Sequence, residues 1–251
     1  MPKRDDIVSF INKYLAVDLC KDRALNGMQV EGKQEVNKIV VGVSASQELF
    51  KKAAELDADM IIVHHGMFWG EDTPIKGYLK ERISTLLSND ISLLAYHLPL
   101  DKHPVIGNNV QLLNLFDVKD VEQFAKYKGS FIGFKGKLKK PQTLDAIAKI
   151  LEDKLFTKAF CLKFGKDPIT TIAAVSGSAP EMIYQAIDEG ADLFLTGEPT
   201  EYIQELARES KMNFISAGHY NSERLGVIAL AKLLETEFKV KTQFIDVPNP
   251  L

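Results

Sequence analysis

The chain has only five histidines, and two are adjacent: "VHHGMFW", Val63 to Trp69, sets His64 and His65 at the end of an apolar run and follows them with glycine. Inside a strand, neighbouring side chains point to opposite faces, so such a pair would split. Past the strand end that constraint lapses, and Gly66 lets the backbone turn sharply enough for both rings to converge on one cavity. Neutral imidazoles gathered in this way are metal ligands by chemistry, serving one ion or one each of two. Further donors stand at comparable places. His97 ends an apolar run with Asp101 four residues on, Glu198 ends another, and His219 precedes Glu223 by four. That last spacing puts an imidazole and a carboxylate on one face if a helix starts there. A mixed nitrogen and oxygen set suits zinc, manganese or iron, and bridging carboxylates suit a pair of such ions about 3.5–4 Å apart. Glu198 and His97 are the candidates for moving protons. His97 is equally suited to orienting a carboxylate or touching a substrate, and His103, in a Lys-His-Pro loop, reads as structural.

These residues need a scaffold that brings strand ends together. "KIVVGV", Lys38 to Val43, and "DMIIVHHG", Asp59 to Gly66, are β-branched or continuous apolar runs of the buried-strand kind, and "SQELFKKAAELDA" between them has helical periodicity. This strand, helix, strand unit predicts a parallel sheet. "YLKERISTLLSND" predicts another helix and "ISLLAYH" a third strand. The pattern recurs: "KIVVGVSASQELFKKAAELDADMIIVHHG" lies over "TIAAVSGSAPEMIYQAIDEGADLFLTGEP" without a gap, Ala58 and Asp59 over Ala191 and Asp192, His65 over Glu198. "LLAYH" over "ISAGH" puts Ala95 on Ala217 and His97 on His219. The fold class expected is α/β with two related layered domains, 1–124 and 125–251, the C-terminal segment being able to pack on the first. Residues from Val121 to Lys166 have no counterpart in the first half; "YKGSFIGFKGKLKKP" predicts strands or a hairpin, and "TLDAIAKILEDKL" a helix capped by Thr143. In open parallel sheets ligands collect beyond the carboxyl ends of strands, where these histidines and carboxylates fall.

Composition narrows the function classes. The 251 residues are 45% hydrophobic and 26% charged, with a net charge of -3. A core can form, and no global field draws the chain to nucleic acid or anionic membrane, although "FKGKLKK" is a local basic run. There is no signal-peptide pattern and no membrane-length apolar run. Cys20 and Cys161 lack a CxxC spacing, which suits a reducing cytoplasm. No Walker motif or GxGxxG occurs. "LNGMQVEG" carries Asn26, Gln29 and Glu31, suited to lining a polar pocket or to forming a turn. The "SASQ" and "SGSAP" loops suit anion binding or ordinary helix capping. Trp69 and Phe68 suit a site wall or plain packing.

"NGMQVEG", "ADMIIVHHGMFW", "AYHLPLDKHPVIGNN", "GADLFLTGE" and "AGHYNSERLG" in this order make a sequence that resembles the Nif-three-like family, whose bacterial members are often labelled GTP cyclohydrolase I type 2 homologues. The resemblance implies two α/β domains facing a cleft, a toroidal homohexamer, and two divalent metals on His64, His65, Asp101, His219 and Glu223. Where many members carry an aspartate in the first strand-to-helix turn, this chain has Ser44. The function expected is a metal-dependent hydrolase acting on a nucleotide or related heterocycle; the alternative is a non-catalytic metal-binding scaffold or metal-handling protein that acts through partners.

Overall fold

The β-branched run predicted as a strand forms one at Lys38–Ser44, with Ile39, Val40 and Val41 fully buried, as expected of a strand covered on both faces. The structure, a computed structural model, describes residues 1–70 and 73–251. Its strands in chain order are β1 (Gly27–Val30), β2 (Lys38–Ser44), β3 (Met60–His65), β4 (Ser92–Ala95), β5 (Val118–Tyr127), β6 (Ser130–Gln142), β7 (Phe160–Leu162), β8 (Ile169–Ala174), β9 (Leu193–Thr196), β10 (Asn213–Ser216) and β11 (Lys241–Phe244). They belong to two compact units, Met1–Leu100 with Gly226–Pro248, and Asp101–Leu225 with Asn249–Leu251.

The first unit holds a sheet of order β1-β4-β3-β2-β11. The inner pairs are parallel, β11 joins β2 in parallel, and β1 runs antiparallel on β4. The helices Gln47–Glu55 and Tyr78–Ser88 connect the parallel strands. Leu49, Phe50 and Leu86 pack with Val40, Ile61, Val63 and Leu93 in one core. Ser46 caps the Gln47–Glu55 helix by accepting the Leu49 N–H at 3.2 Å, so this serine of the "SASQ" loop does ordinary capping.

The second unit holds a sheet of order β5-β6-β8-β9-β10-β7, of which β8, β9 and β10 are parallel. The hairpin predicted in "YKGSFIGFKGKLKKP" is β5 and β6, joined through Lys128 and Gly129. The helix Leu144–Leu155 follows with Thr143 as its N-cap, and Leu144, Ile147, Leu151 and Leu155 pack on Ile172, Leu193 and Ile215.

The internal repeat is visible as register. Ile39 pairs with Met60 and Val41 with Ile62; in the second unit Ile172 pairs with Leu193 and Ala174 with Leu195, the positions that the ungapped sequence repeat superposes. The third strand departs from it by one residue. Leu94 faces Ile62, whereas Ile215 faces Leu195. The Tyr96 N–H reaches the Val63 carbonyl just as the Ala217 N–H reaches that of Thr196, both at 2.9 Å. His97 therefore corresponds to Gly218, and the sequence expectation that superposed it on His219 is corrected. Two short, similar segments carried that alignment, and sheet hydrogen bonding sets the true register.

Candidate metal centre

In the first unit, His64 and His65 are the last two residues of β3, so they sit within the strand rather than past it. Their rings still approach, with centroids 4.6 Å apart, and the ring of His97 lies 5.1 Å from one and 5.6 Å from the other. One potential ligand atom from each of the three falls within 4.8 Å of the others. Gly66 makes no left-handed turn. What it supplies is room: a Cβ there would overlap the Gln29 amide and come within 2.6 Å of the Ala95 side chain. That amide anchors the following loop, its Oε1 accepting the Met67 N–H at 2.7 Å while Trp69 stands edge-on to His97 at 5.2 Å.

Each imidazole is held through Nδ1. The His64 Nδ1 lies 2.9 Å from the Tyr96 carbonyl oxygen, to which only an N–H can donate. The His65 Nδ1 lies 3.2 Å from the hydroxyl of Ser44, its direct partner across β2 and β3. The His97 Nδ1 lies 3.1 Å from both carboxylate oxygens of Asp22. Burial opposes ionisation of Asp22, but His97 and the Asn26 and Ala24 donors outweigh it and hold the carboxyl far below the usual carboxylate range. A ring whose Nδ1–H is given to oxygen carries its lone pair on Nε2, the form in which histidine ligates metals or accepts protons.

In the second unit, Gly218, with φ of +84°, turns the chain so that His219 opens the short helix His219–Ser222. The helix required by the His219 and Glu223 spacing has begun there, and the His219 Nε2 lies 3.3 Å from the Glu223 carboxylate. Its Nδ1 lies 2.7 Å from Glu198. Burial pulls the His219 pKa down, yet Glu223 and then Glu198 overcome this and push it up to about 9. Gly177, at φ +66°, passes so close that a Cβ would overlap the Glu223 carboxylate and lie 3.3 Å from the His219 Nε2. Asp101 is 6% exposed, accepts from the Asn108 amide at 2.8 Å, and has a carboxylate oxygen within 4.8 Å of one of Glu223. Buried imidazole and carboxylate groups with oriented partners fit a divalent cation of the zinc, iron or manganese kind. The structure thus gathers His64, His65 and His97 in one unit, and Asp101, Glu198, His219 and Glu223 in the other. His103 does loop work, its Nδ1 accepting the N–H groups of Val105 and Ile106.

A family model described as Duf34/NIF3 (NGG1p interacting factor 3) matches residues 2–250. The chain belongs to the DUF34/NIF3 family. Among curated relatives, the "GTP cyclohydrolase 1 type 2 homolog" of Pyrococcus abyssi is 43% identical over 252 residues, covering 99% of this chain and 100% of its own. That of Haemophilus influenzae is 42% identical, at 98% of each. Among solved structures, protein ybgI, described as of unknown function, gives a TM-score of 0.93 at 39% identity, with 99% and 100% of the two chains covered. TTHA1606 from Thermus thermophilus gives 0.92 at 36%, with the same coverage. The NIF3 fold and the family expected from the motifs are therefore present.

One residue of this site carried no sequence signal. Asp22 lies outside regular structure in a stretch with no motif, and only its burial against His97 reveals it. Ser44 showed as a departure from the aspartate of many members, and its hydroxyl stands at the Nδ1 of His65. Asn26, weighed as pocket lining or turn, accepts the main-chain N–H of His97 at 2.7 Å.

Proposed function

We propose that this NIF3 chain is a metal-dependent hydrolase in which His64, His65, Asp101, His219 and Glu223 hold two divalent ions, zinc, iron or manganese. Bound there, the ions would supply Lewis acidity and an ionised water at neutral pH. The observation that supports this best is the treatment of the histidines. In His64, His65, His97 and His219 the Nδ1 meets a main-chain oxygen, a hydroxyl or a carboxylate, the outer arrangement expected of metal-binding imidazole.

The residues divide the work by their partners. His64 and His65 present Nε2 with a fixed ring orientation. Glu198 orients His219 through Nδ1 and is also within reach of exchanging a proton with it. His97 holds or moves a proton at Nε2. The name shared by the relatives, GTP cyclohydrolase 1 type 2 homolog, brings the substrate class, a guanine nucleotide or related heterocycle; for such a substrate the reaction we propose is hydrolytic opening of the ring at C8 with loss of formate. The family resemblance adds a homohexamer as its working form, and the cysteine usage a cytoplasmic setting.

The test is a turnover screen of the full chain, supplied with zinc, iron or manganese, against GTP, other nucleotides and phosphoesters. Formate or phosphate release is expected, with a fall of at least about a hundredfold in Glu223→Ala if the ion it holds is needed. Metal-loaded protein that turns over none of these would overturn the hydrolase reading and leave a metal-binding scaffold acting through partners.

A further inference from the structure

The sequence motifs do not include Asp22, and the division of work above gives it no step. Its side chain is only 3% exposed, yet it stays ionised because donors surround it. The Ala24 N–H arrives at 3.1 Å, the Leu98 N–H at 3.0 Å and the Asn26 amide at 3.0 Å. Both carboxylate oxygens lie 3.1 Å from the His97 Nδ1. Asn26 then accepts the His97 main-chain N–H at 2.7 Å. One short segment, Asp22 to Asn26, therefore grips His97 by its ring, its own N–H and the N–H that follows. A histidine needed only for packing requires no such fixing, and one left to solvent would sample several rotamers. An ionised carboxylate can only accept, so Nδ1 carries the proton and Nε2 the lone pair.

We infer that Asp22 is a positioning residue, fixing His97 in the Nδ1–H tautomer so that its Nε2 accepts a proton from water beside His64 and His65. The tautomer stands on geometry alone; the water as proton donor rests on the hydrolase reading above. In that step the water O–H bond breaks and the Nε2–H bond forms, the electron pair staying on the oxygen that attacks. Nδ1 keeps its hydrogen, and Asp22 remains a carboxylate beside the imidazolium. Nε2 later returns the proton to the leaving group, and the ring is neutral again.

Nitrogen-15 NMR of the histidine-labelled full chain loaded with diamagnetic zinc reads this directly, with His97→Gln identifying the resonance. The wild-type ring is expected to show a protonated Nδ1 and a bare, uncoordinated Nε2. Asp22→Ala should give a mixture including the Nε2–H tautomer at unchanged zinc content, and Asp22→Glu should move the ring back toward the wild-type pattern. An Nε2–H ring in the wild type overturns the inference, even where a variant fails to fold. So does an identical ring in Asp22→Ala, and an Nε2 coordinated to zinc ends its role as proton acceptor. With a substrate in hand, Asp22→Ala should lower kcat by about tenfold or more with KM little moved; a change in KM alone contradicts the role. The expected tautomers without turnover of any substrate would sink the hydrolase reading and leave the positioning role standing.

Discussion

Imidazoles of this chain meet oxygen through Nδ1 in four different settings: the Tyr96 carbonyl at His64, the Ser44 hydroxyl at His65, and the carboxylates of Asp22 and Glu198 at His97 and His219. The partner sets how strongly the far nitrogen donates. The Tyr96 carbonyl and the Ser44 hydroxyl are neutral partners, so His64 and His65 are weaker donors than the two rings held by carboxylates. Ser44→Ala should lower metal affinity by roughly tenfold, as loss of an outer partner does, while Ser44→Asp should hold or raise it; isothermal titration with zinc separates the cases. Gly177→Ala tests the opposite constraint, that of space. The added Cβ meets the Glu223 carboxylate, and a φ of +66° is strained for alanine by about 1–2 kcal/mol. A lowered urea midpoint together with lost metal affinity is expected, and a change in neither would remove Gly177 from the site. Adjacent histidines and a carboxylate four residues beyond a histidine were legible in sequence because spacing alone announces them. Asp22 was not, since its meaning lies in a contact with a residue far along the chain.

Elements were legible where periodicity is strong, as in β2, β3 and the Gln47–Glu55 helix, and the ungapped repeat matches the register of β2 on β3 and of β8 on β9. Beneath that register lies a shared clamp. The Asp59 carboxylate accepts the N–H groups of Asn37 and Lys38 at 2.6 and 2.9 Å, and Asp192 accepts those of Thr170 and Thr171 at 2.8 and 3.0 Å. Lys33 pairs with the first and Lys166 with the second. Thus the paired aspartates of the repeat stand immediately before β3 and β9, inner strands of their sheets. Burial would raise both pKa values, but the lysines, Thr170 and the main-chain donors outweigh it and lower them. A lowered folded-state pKa contributes stability that is fully present above the ordinary value of 3.8 and is lost as pH falls through the folded value. Asp59→Asn should therefore cost roughly 1–3 kcal/mol at neutral pH and flatten the fall in stability below about pH 4. Urea midpoints across pH check it, and a mutant curve parallel to the wild type would contradict it. The third strand was misread by one residue because a short segment contains too little pattern to fix register against hydrogen bonding.

At the scale of the whole molecule, the chain divides its chemistry between two sheets built on one plan. The first carries the histidine cluster at the ends of β3 and β4; the second carries the acidic and histidine cluster around Gly177 and Gly218. β11 returns near the end of the chain to pair with β2, so the first unit is not contiguous in sequence. In the basic run "FKGKLKK", Lys135 pairs with Glu189 at 2.7 Å and Lys139 with Asp117 at 2.7 Å. Among the described residues no helix is long and apolar enough to cross a membrane. The central claim is the metal centre, and elemental analysis of the purified full chain, grown with zinc, iron and manganese, tests it most directly. About two ions per chain are predicted for the wild type, with about one or fewer in His65→Ala and Glu223→Ala. A wild type without metal, or variants that keep their full complement, would contradict it.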